Sequence, residues 1–198
     1  MILEDSAPGV YEAFDDGFFP AEFKSSRGDT YIAGVEATSS FRVVRITLAR
    51  IPVDGGQAYK AVLNASRQLQ GSVVFLDGVT YAGFDVVDPF SLNVETGKPV
   101  IAIQLYPLNL ERIRRALVKH FNDWRERFKV IESYTKSLTV VDTPWRPIEI
   151  APVGVSLEEA IRILRRTSIY SPEPEPLRIA GRVASSLTRL MHQGLIRC

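Results

Sequence analysis

Residues 72–88 read SVVFLDGVTYAGFDVVD, and this stretch decides the fold. Its first part, SVVFLD, is a short apolar run of the kind that forms a strand buried on both faces. The run ends at Asp77, and glycine follows at once. Asp85 and Asp88 come within the next eleven residues. A buried strand that ends in a carboxylate predicts a polar site at the edge of a sheet, and the neighbouring strands decide what else that site contains.

Before this stretch, the chain predicts strands with alternating and β-branched residues at 9–16, 30–37 and 41–53. Short turns between them favour antiparallel pairing. A second buried strand is predicted at 99–106, and helices are predicted at 55–71, within 88–97 and at 109–133.

The last part of the chain, residues 138–198, predicts an extended segment and then helices. Prolines interrupt 138–155, which suits an edge strand. Ser156 and Glu159 form a capping box, and a final helix begins near 173. We predict one α/β domain over residues 1–198, with 138–198 as its edge-strand and C-terminal helical portion. Three antiparallel strands followed by parallel β/α units have the element order of a ribonuclease H-like mixed sheet.

The composition is that of an ordinary globular protein, with 45% hydrophobic and 24% charged residues in 198. No apolar run approaches the ~20 residues of a membrane span. MILEDSAPG at the N-terminus lacks a signal-peptide pattern, so we predict a cytoplasmic protein without a membrane partner. The single cysteine, Cys198, excludes a disulfide framework within the chain.

Arginine supplies eighteen of the twenty-four basic residues, although the net charge is only +1. Guanidinium groups match phosphate geometry. We therefore predict that Arg112 and Arg115, in the arginine-rich segment 112–127, contact a phosphate backbone. A solvated helix face is the alternative explanation of this cluster, and a compositional habit is the alternative explanation of the arginine excess.

Aspartates close three of the predicted strands: Asp15 and Asp16 the first, Asp54 the third and Asp77 the fourth. Ligands collect beyond the carboxyl ends of strands in such sheets. Carboxylates that meet there repel one another unless a cation neutralises them. Mg²⁺ and Mn²⁺ prefer such oxygen ligands and assist phosphodiester hydrolysis. The pattern predicts a metal site; the alternative is three ordinary Asp-Gly turns, at 16–17, 54–55 and 77–78.

Other catalytic chemistries find little support. His120 and His192 are the only histidines, which excludes a histidine-rich metal site. The chain has no G-x-S-x-G nucleophile elbow and no phosphate-binding glycine loop.

Four segments occur in order and resemble one known family: FDDGFF at 14–19, IPVDGGQAYKAV at 51–62, the central block 76–103, and EPEPLRIAGRVAS at 173–185. Together they resemble the archaeal endonuclease dU family, formerly a family of unknown function and distantly related to endonuclease V. The resemblance implies a ribonuclease H-like fold and Mg²⁺- or Mn²⁺-dependent cleavage of DNA, with RNA left open, that carries a deaminated base such as deoxyuridine or deoxyinosine.

Carried over by position, the resemblance implies catalytic roles for Asp15, Asp54 and Asp77, with Asp15, Asp16 and Asp77 as metal ligands. It also implies that residues near the metal hold the substrate; these are Thr80, Tyr81, Phe84 and Gln57.

Two positions depart from the family pattern. Gln57 stands where an aspartate is expected, and Gly181 stands where relatives carry a histidine. Two alternatives to a nuclease therefore stay open. One is a degenerate relative that binds nucleic acid or protein without cutting it, and the other is a metal hydrolase of small molecules.

Overall fold

The structure is a computed structural model that describes residues 9–20, 23 and 28–196. Its centre is a sheet of seven strands in the order β3-β2-β1-β4-β7-β9-β8. These strands are β1 Val10–Asp16, β2 Asp29–Thr38, β3 Val43–Pro52, β4 Val73–Asp77, β7 Val100–Gln104, β8 Thr139–Val141 and β9 Ile148–Val153. A small hairpin, β5 Thr80–Tyr81 and β6 Asp85–Val86, projects from the end of β4.

Six helices of the described residues cover the sheet. They are α1 Ala58–Ser66, α2 Pro89–Thr96, α3 Leu110–His120, α4 Trp124–Ser137, α5 Leu157–Thr167 and α6 Glu175–His192. None of the helices in the described ranges is long and apolar enough to cross a membrane.

The mixed α/β sheet confirms the predicted fold class. β1 pairs antiparallel with β2, and β2 with β3, whereas β1, β4 and β7 are parallel. The capping box is also present, because Ser156 Oγ accepts a hydrogen bond from the Glu159 N–H at 3.2 Å. The short helix predicted within 88–97 forms as α2, with Asp88 as its N-cap.

Two sequence predictions were wrong. The helix predicted over 109–133 is two helices, because Phe121 is extended and Asp123 begins a new helix. The late strands are also not all parallel, since β9 runs antiparallel to β7 and β8 antiparallel to β9. Two helices, α3 and α4, connect β7 to β8, which runs in the same direction as β7, and the turn after β8 then leads into the antiparallel β9.

The two faces of the sheet bury different side chains, as the period of two requires. Phe14, Leu76 and Ala102 pack on the face that α1 to α4 cover. Ala13, Phe75 and Ile103 pack with residues of α5 and α6 on the other face. Apart from Glu12, a buried acid in β1 that pairs with Lys98, the central strands are mainly apolar on both faces, and Asp15, Asp77 and Gln104 lie where β1, β4 and β7 end.

Candidate active site

Asp15 and Asp77 leave neighbouring parallel strands side by side. Phe14 of β1 is paired with Leu76 of β4, so the next residue on each strand is an aspartate. Adjacent strands lie ~4.8 Å apart, and residues in register point to the same face. Both carboxylates therefore emerge at the carboxyl edge of the sheet, on the face that α6 covers.

Burial and mutual repulsion make these carboxylates hard to ionise. Desolvation raises the pKa of Asp15 well above its ordinary value, and the charges of Asp77 and Asp16 raise it further. Burial alone raises the pKa of Asp77 to about 6. A cation placed between the two groups would favour their charged forms and offset this cost.

Tyr81 holds the two strand ends together from beneath. Its ring is fully buried, and its hydroxyl donates to the Phe14 carbonyl at 2.8 Å and accepts from the Asp77 N–H at 3.1 Å. Burial, followed by the nearby charges of Asp15 and Asp77, raises its pKa, so the phenol stays protonated. Tyr81 was predicted to contact substrate. The structure instead places its side chain in the core, as a brace between the backbones of β1 and β4.

Asp16 and Asp54 hold opposite sides of one residue in the hairpin loop. Asp16 Oδ2 accepts from the Ala82 N–H at 2.7 Å, whereas the Asp54 N–H donates to the Ala82 carbonyl at 2.8 Å. Asp54 Oδ1 also accepts from the Phe84 N–H at 2.7 Å. Burial is the main cause that raises the pKa of Asp16 to about 7. Both acids thus shape the loop beside the Asp15–Asp77 pair. Because successive strand residues point to opposite faces, the Asp16 side chain lies on the face opposite to that of Asp15.

Asp85, the acid that follows Asp77 in residues 72–88, has a structural role. It is buried, accepts from the Gly56 and Gln57 N–H groups at 2.7 and 2.8 Å, and thereby satisfies the N-terminus of α1. It also forms an ion pair with buried Arg127 at 2.9 Å. Arg127 Nη1 donates to the Phe84 carbonyl at 2.7 Å as well, so this pair fixes the hairpin against α4.

The other predicted substrate residues lie at varying positions around this loop. Phe84 packs edge-on against Phe121, with ring centroids 5.9 Å apart, and Thr80 pairs with Val86 in the hairpin. The Gln57 side chain is exposed at the start of α1.

Arg112 and Arg115 lie on the exposed side of α3, and Arg115 pairs with Glu111 one turn away at 3.3 Å. Neither arginine has a described contact with Asp15 or Asp77.

Helix α6 closes the site from above at a glycine. A Cβ built on Gly181 would lie 2.1 Å from Asp15 Oδ2, so the helix backbone itself approaches the carboxylate. This glycine occupies the position at which the sequence departs from the family's histidine.

Sequence reasoning missed Glu173, which lies just before α6. Burial is the main cause that raises its pKa to about 7, and the charge of Asp77 is the next. This places a fourth acid within the electrostatic reach of the pair. Glu173 stands in a proline-rich turn without strand or helix periodicity, so its only signal in the sequence is its place in the EPEPLRIAG motif.

The donor set suits a hard cation that keeps part of its water shell. No group of three His, Cys, Asp or Glu side chains in the described ranges is arranged to hold a metal ion. Mg²⁺, however, is commonly bound by one or two carboxylates together with waters and substrate phosphates. Asp15 and Asp77 are two buried, mutually repelling carboxylates with the oxygen atoms that such an ion prefers, and they fit this requirement.

Comparison with known families agrees with the geometry. The family model described as Endonuclease dU matches residues 11–188. The chain belongs to the endonuclease dU family. A UPF0215 protein of Thermococcus gammatolerans is 37% identical over 177 residues, which are 88% of this chain and 89% of the relative. A UPF0215 protein of Methanosarcina mazei is 38% identical over 164 residues, which are 82% and 79% of the two chains.

Solved structures place this endonuclease dU family member among the endonuclease V proteins in fold. A protein of unknown function from Archaeoglobus fulgidus superposes with a TM-score of 0.76 at 22% identity, covering 90% of this chain and 98% of that one. Endonuclease V from Ciona intestinalis, in complex with DNA containing an inosine, gives 0.59 at 12% identity and covers 93% and 87%. The fold is thus that of endonuclease V, a ribonuclease H-like nuclease fold.

Proposed function

We propose that this endonuclease dU family member is a divalent-metal-dependent endonuclease. Its substrate is DNA that carries a deaminated base, with deoxyuridine first and deoxyinosine second. The observation that carries the proposal is the buried Asp15–Asp77 pair, held in register at the carboxyl edge of an endonuclease V-like sheet. The family description and the inosine-containing DNA bound by the Ciona protein support the choice of substrate.

Asp15 and Asp77 are the residues that would hold the cation. A divalent cation at such a place activates water and stabilises the charge that develops on a phosphodiester. The protein contributes rigidity, because Tyr81 binds the backbones of both strand ends and leaves little freedom to the two carboxylates. Gly181 contributes space, since any side chain there would displace Asp15 Oδ2.

Asp16 and Asp54 have a positioning role in this proposal. Together they hold Ala82, and Asp54 also holds Phe84, at the rim of the site. A base that has left the duplex stack needs a rigid binding surface, since its binding must offset the cost of unstacking. Three hydrogen bonds from Asp16 and Asp54 thus hold the 82–84 loop beside the acid pair.

The test is cleavage of end-labelled oligonucleotides that carry deoxyuridine, deoxyinosine or no lesion. Each is incubated with Mg²⁺, with Mn²⁺ and with chelator, and an RNA version tests the sugar preference. Lesion-dependent nicking that needs the metal and disappears in Asp77→Asn supports the proposal. Absence of nicking on every substrate, with folded protein and metal present, contradicts it.

A second candidate is a relative that binds nucleic acid without cutting it. The observation in its favour is that Gln57 and Gly181 supply neither a carboxylate nor an imidazole near the acid pair, and that no complete set of three ligands is found among the described residues. This candidate expects the wild-type protein and Asp77→Asn to bind the same oligonucleotides equally, and neither to cut them.

A further inference from the structure

An exposed tyrosine lies at the carboxyl edge of the sheet with an arginine on its ring. Tyr106 comes two residues after the end of β7 and is 69% exposed. The Arg146 guanidinium lies 4.6 Å from the centre of its ring. Arg146 belongs to the turn between β8 and β9, which Thr143 closes by accepting from the Arg146 N–H at 3.2 Å. The side chain of Trp145, the preceding residue, is 43% exposed on the same turn.

Short contacts connect this tyrosine to Asp77. Gly78, the residue after Asp77, donates its N–H to the Ile103 carbonyl at 2.8 Å. A Cβ built on Gly78 would lie 3.3 Å from Oε1 of Gln104, and Nε2 of the same Gln104 donates to the Tyr106 carbonyl at 2.7 Å. The Gln104 amide is itself held by the buried Tyr134 hydroxyl at 3.2 Å. The backbone of Tyr106 is therefore connected through Gln104 to Gly78, the residue after Asp77, at the carboxyl end of the strand next to the one that carries Asp77.

A similar arrangement occurs on the other side of the acids. Phe18 follows the end of β1 and is 53% exposed, and the Arg189 guanidinium lies 5.6 Å from its ring centre. The backbone N–H of Phe18 donates to Ser185 Oγ of α6 at 3.3 Å. Since strands lie ~4.8 Å apart, the ends of β1 and β7 are about 10 Å apart across β4. That distance is about three nucleotides at the ~3.4 Å rise of a stacked strand.

We propose that Tyr106 with Arg146, and Phe18 with Arg189, are stacking platforms for unpaired bases on the two sides of the scissile phosphate, so that the substrate is bound as a locally single-stranded segment. This inference rests on the proposed function. An aromatic ring that is exposed in the free protein is available to be covered by a flat base. Stacking of bases on such rings does not depend on the base sequence. A guanidinium beside each ring adds charge attraction for the neighbouring phosphate and extends the flat surface.

The chemistry favours a nucleic acid strand over a protein partner at this edge. The two platforms combine aromatic and arginine side chains, and they flank a carboxylate pair that suits a cation and a phosphate. Alternating flat rings and cationic groups are the features that recognise a single strand. A paired duplex presents its bases only by their edges, so the platforms distinguish an opened segment from intact DNA.

The experiment is equilibrium binding of fluorescent oligonucleotides, measured by anisotropy in chelator so that no cutting occurs. Tyr106→Leu removes the ring and Tyr106→Phe keeps it. Val94→Ala removes an apolar side chain that is still more exposed, at 81%, from α2, close in sequence to the amino end of β7. The probes are a single strand, a duplex with a short unpaired segment, and a fully paired duplex.

Loss of about fivefold or more in affinity for the two unpaired probes in Tyr106→Leu supports the inference, given about 1–3 kcal/mol for each stacked base. Tyr106→Phe should then bind within about twofold of the wild type, and Val94→Ala should be unchanged. Unchanged binding in Tyr106→Leu overturns the inference, and so does an equal loss on the fully paired duplex. Wild-type protein that binds no unpaired probe also overturns it.

A separate cleavage assay distinguishes this inference from the proposed function. If binding depends on Tyr106 but the protein never cuts lesion DNA, the proposed nuclease function is contradicted and the stacking platforms are supported. If the protein cuts lesion DNA with metal but its binding does not depend on Tyr106, the stacking platforms are contradicted and the proposed nuclease function is supported.

Discussion

Gly181 and Asp15 touch across 166 positions of sequence, since a Cβ on the glycine would lie 2.1 Å from Oδ2 of the aspartate. In an ordinary helix, glycine costs up to ~1 kcal/mol relative to alanine. At this position the missing methyl group is what lets the carboxylate occupy its place, so helix propensity and site geometry favour different residues.

Gly181→Ala should therefore leave the fold intact and reduce cleavage by about tenfold or more, because Asp15 must rotate away from Asp77. The measurement is single-turnover cleavage beside a thermal melt. Ser186→Ala, an exposed position on the same helix, serves as the control. Full activity in Gly181→Ala would show that the Asp15 position observed here is not needed for cutting.

Asp77→Asn should reduce cleavage by about a hundredfold or more, since the amide keeps the shape and removes the charge that holds a cation. Binding to lesion DNA in chelator should stay within about threefold of the wild type. Glu158→Gln, an exposed acid on α5, should behave as the wild type in both assays. Equal cutting by wild type and Asp77→Asn that persists after further purification would contradict the role of Asp77 in cleavage.

Stability of the metal-free protein should fall as pH rises from about 4 to about 7. Asp77 and Asp16 have pKa values of about 6 and about 7 in the folded state, against ~3.9 for unfolded aspartate. The folded protein thus binds more protons than the unfolded chain in this window, and its stability is lost as pH rises through the folded pKa values. Thermal melts in chelator at pH 5 and pH 8 should differ by a few degrees. Asp77→Asn should shrink the difference; a melting temperature that rises with pH would contradict this assignment.

Mg²⁺ or Mn²⁺ should restore the stability that is lost at pH 8, because a ligand that binds only the folded state raises the melting temperature. The shift should be smaller at pH 5, where the carboxyl groups hold protons in place of metal. Asp77→Asn and Asp15→Asn should each remove most of the shift. Titration calorimetry with the metal alone gives an independent readout, and an equal shift in all three proteins would place the binding site elsewhere.

Arg127→Ala should destabilise the protein by about 3–5 kcal/mol, since it leaves buried Asp85 charged and without its ion-pair partner. Arg115→Ala is the matched control, because its pair with Glu111 is exposed and worth less than about 1 kcal/mol. Urea denaturation measures both. If Arg127→Ala unfolds no more easily than Arg115→Ala, the hairpin is held by other contacts.

The sequence was sufficient for the features that depend on period and strand ends. Asp15 and Asp77 could be assigned to one edge because each closes a short apolar run, and parallel strands end together. The break between α3 and α4 carries no glycine or proline, and its signal is the weaker one of Asp123 with Glu126 three residues later, inside a continuous helical pattern. Asp85 was misleading for a different reason: its partners, the start of α1 and Arg127, lie 27 to 42 positions away, and only the folded backbone brings them together.

Of the residues predicted to contact substrate, some lie where the sequence indicated and one does not. Phe84 and Thr80 fall on the loop that the sequence indicated, although their roles stay predictions. Tyr81 looked like a stacking residue, but its hydroxyl found two backbone partners in the core, which no local pattern encodes. Tyr106 and Arg146 are forty positions apart and become a pair only because β7 and β9 are neighbours.

The contact between Gly181 and Asp15 also bears on synthesis. β1 leaves the ribosome long before α6, because more than 150 residues separate them. Until α6 docks, the carboxylates of β1 and β4 have no helix over them and are open to water. Contacts between such distant segments form late, because closing a long loop costs entropy before any contact compensates. A growing chain therefore carries no assembled site until α6 has been made, and the protein gains its proposed cutting ability only after that helix docks.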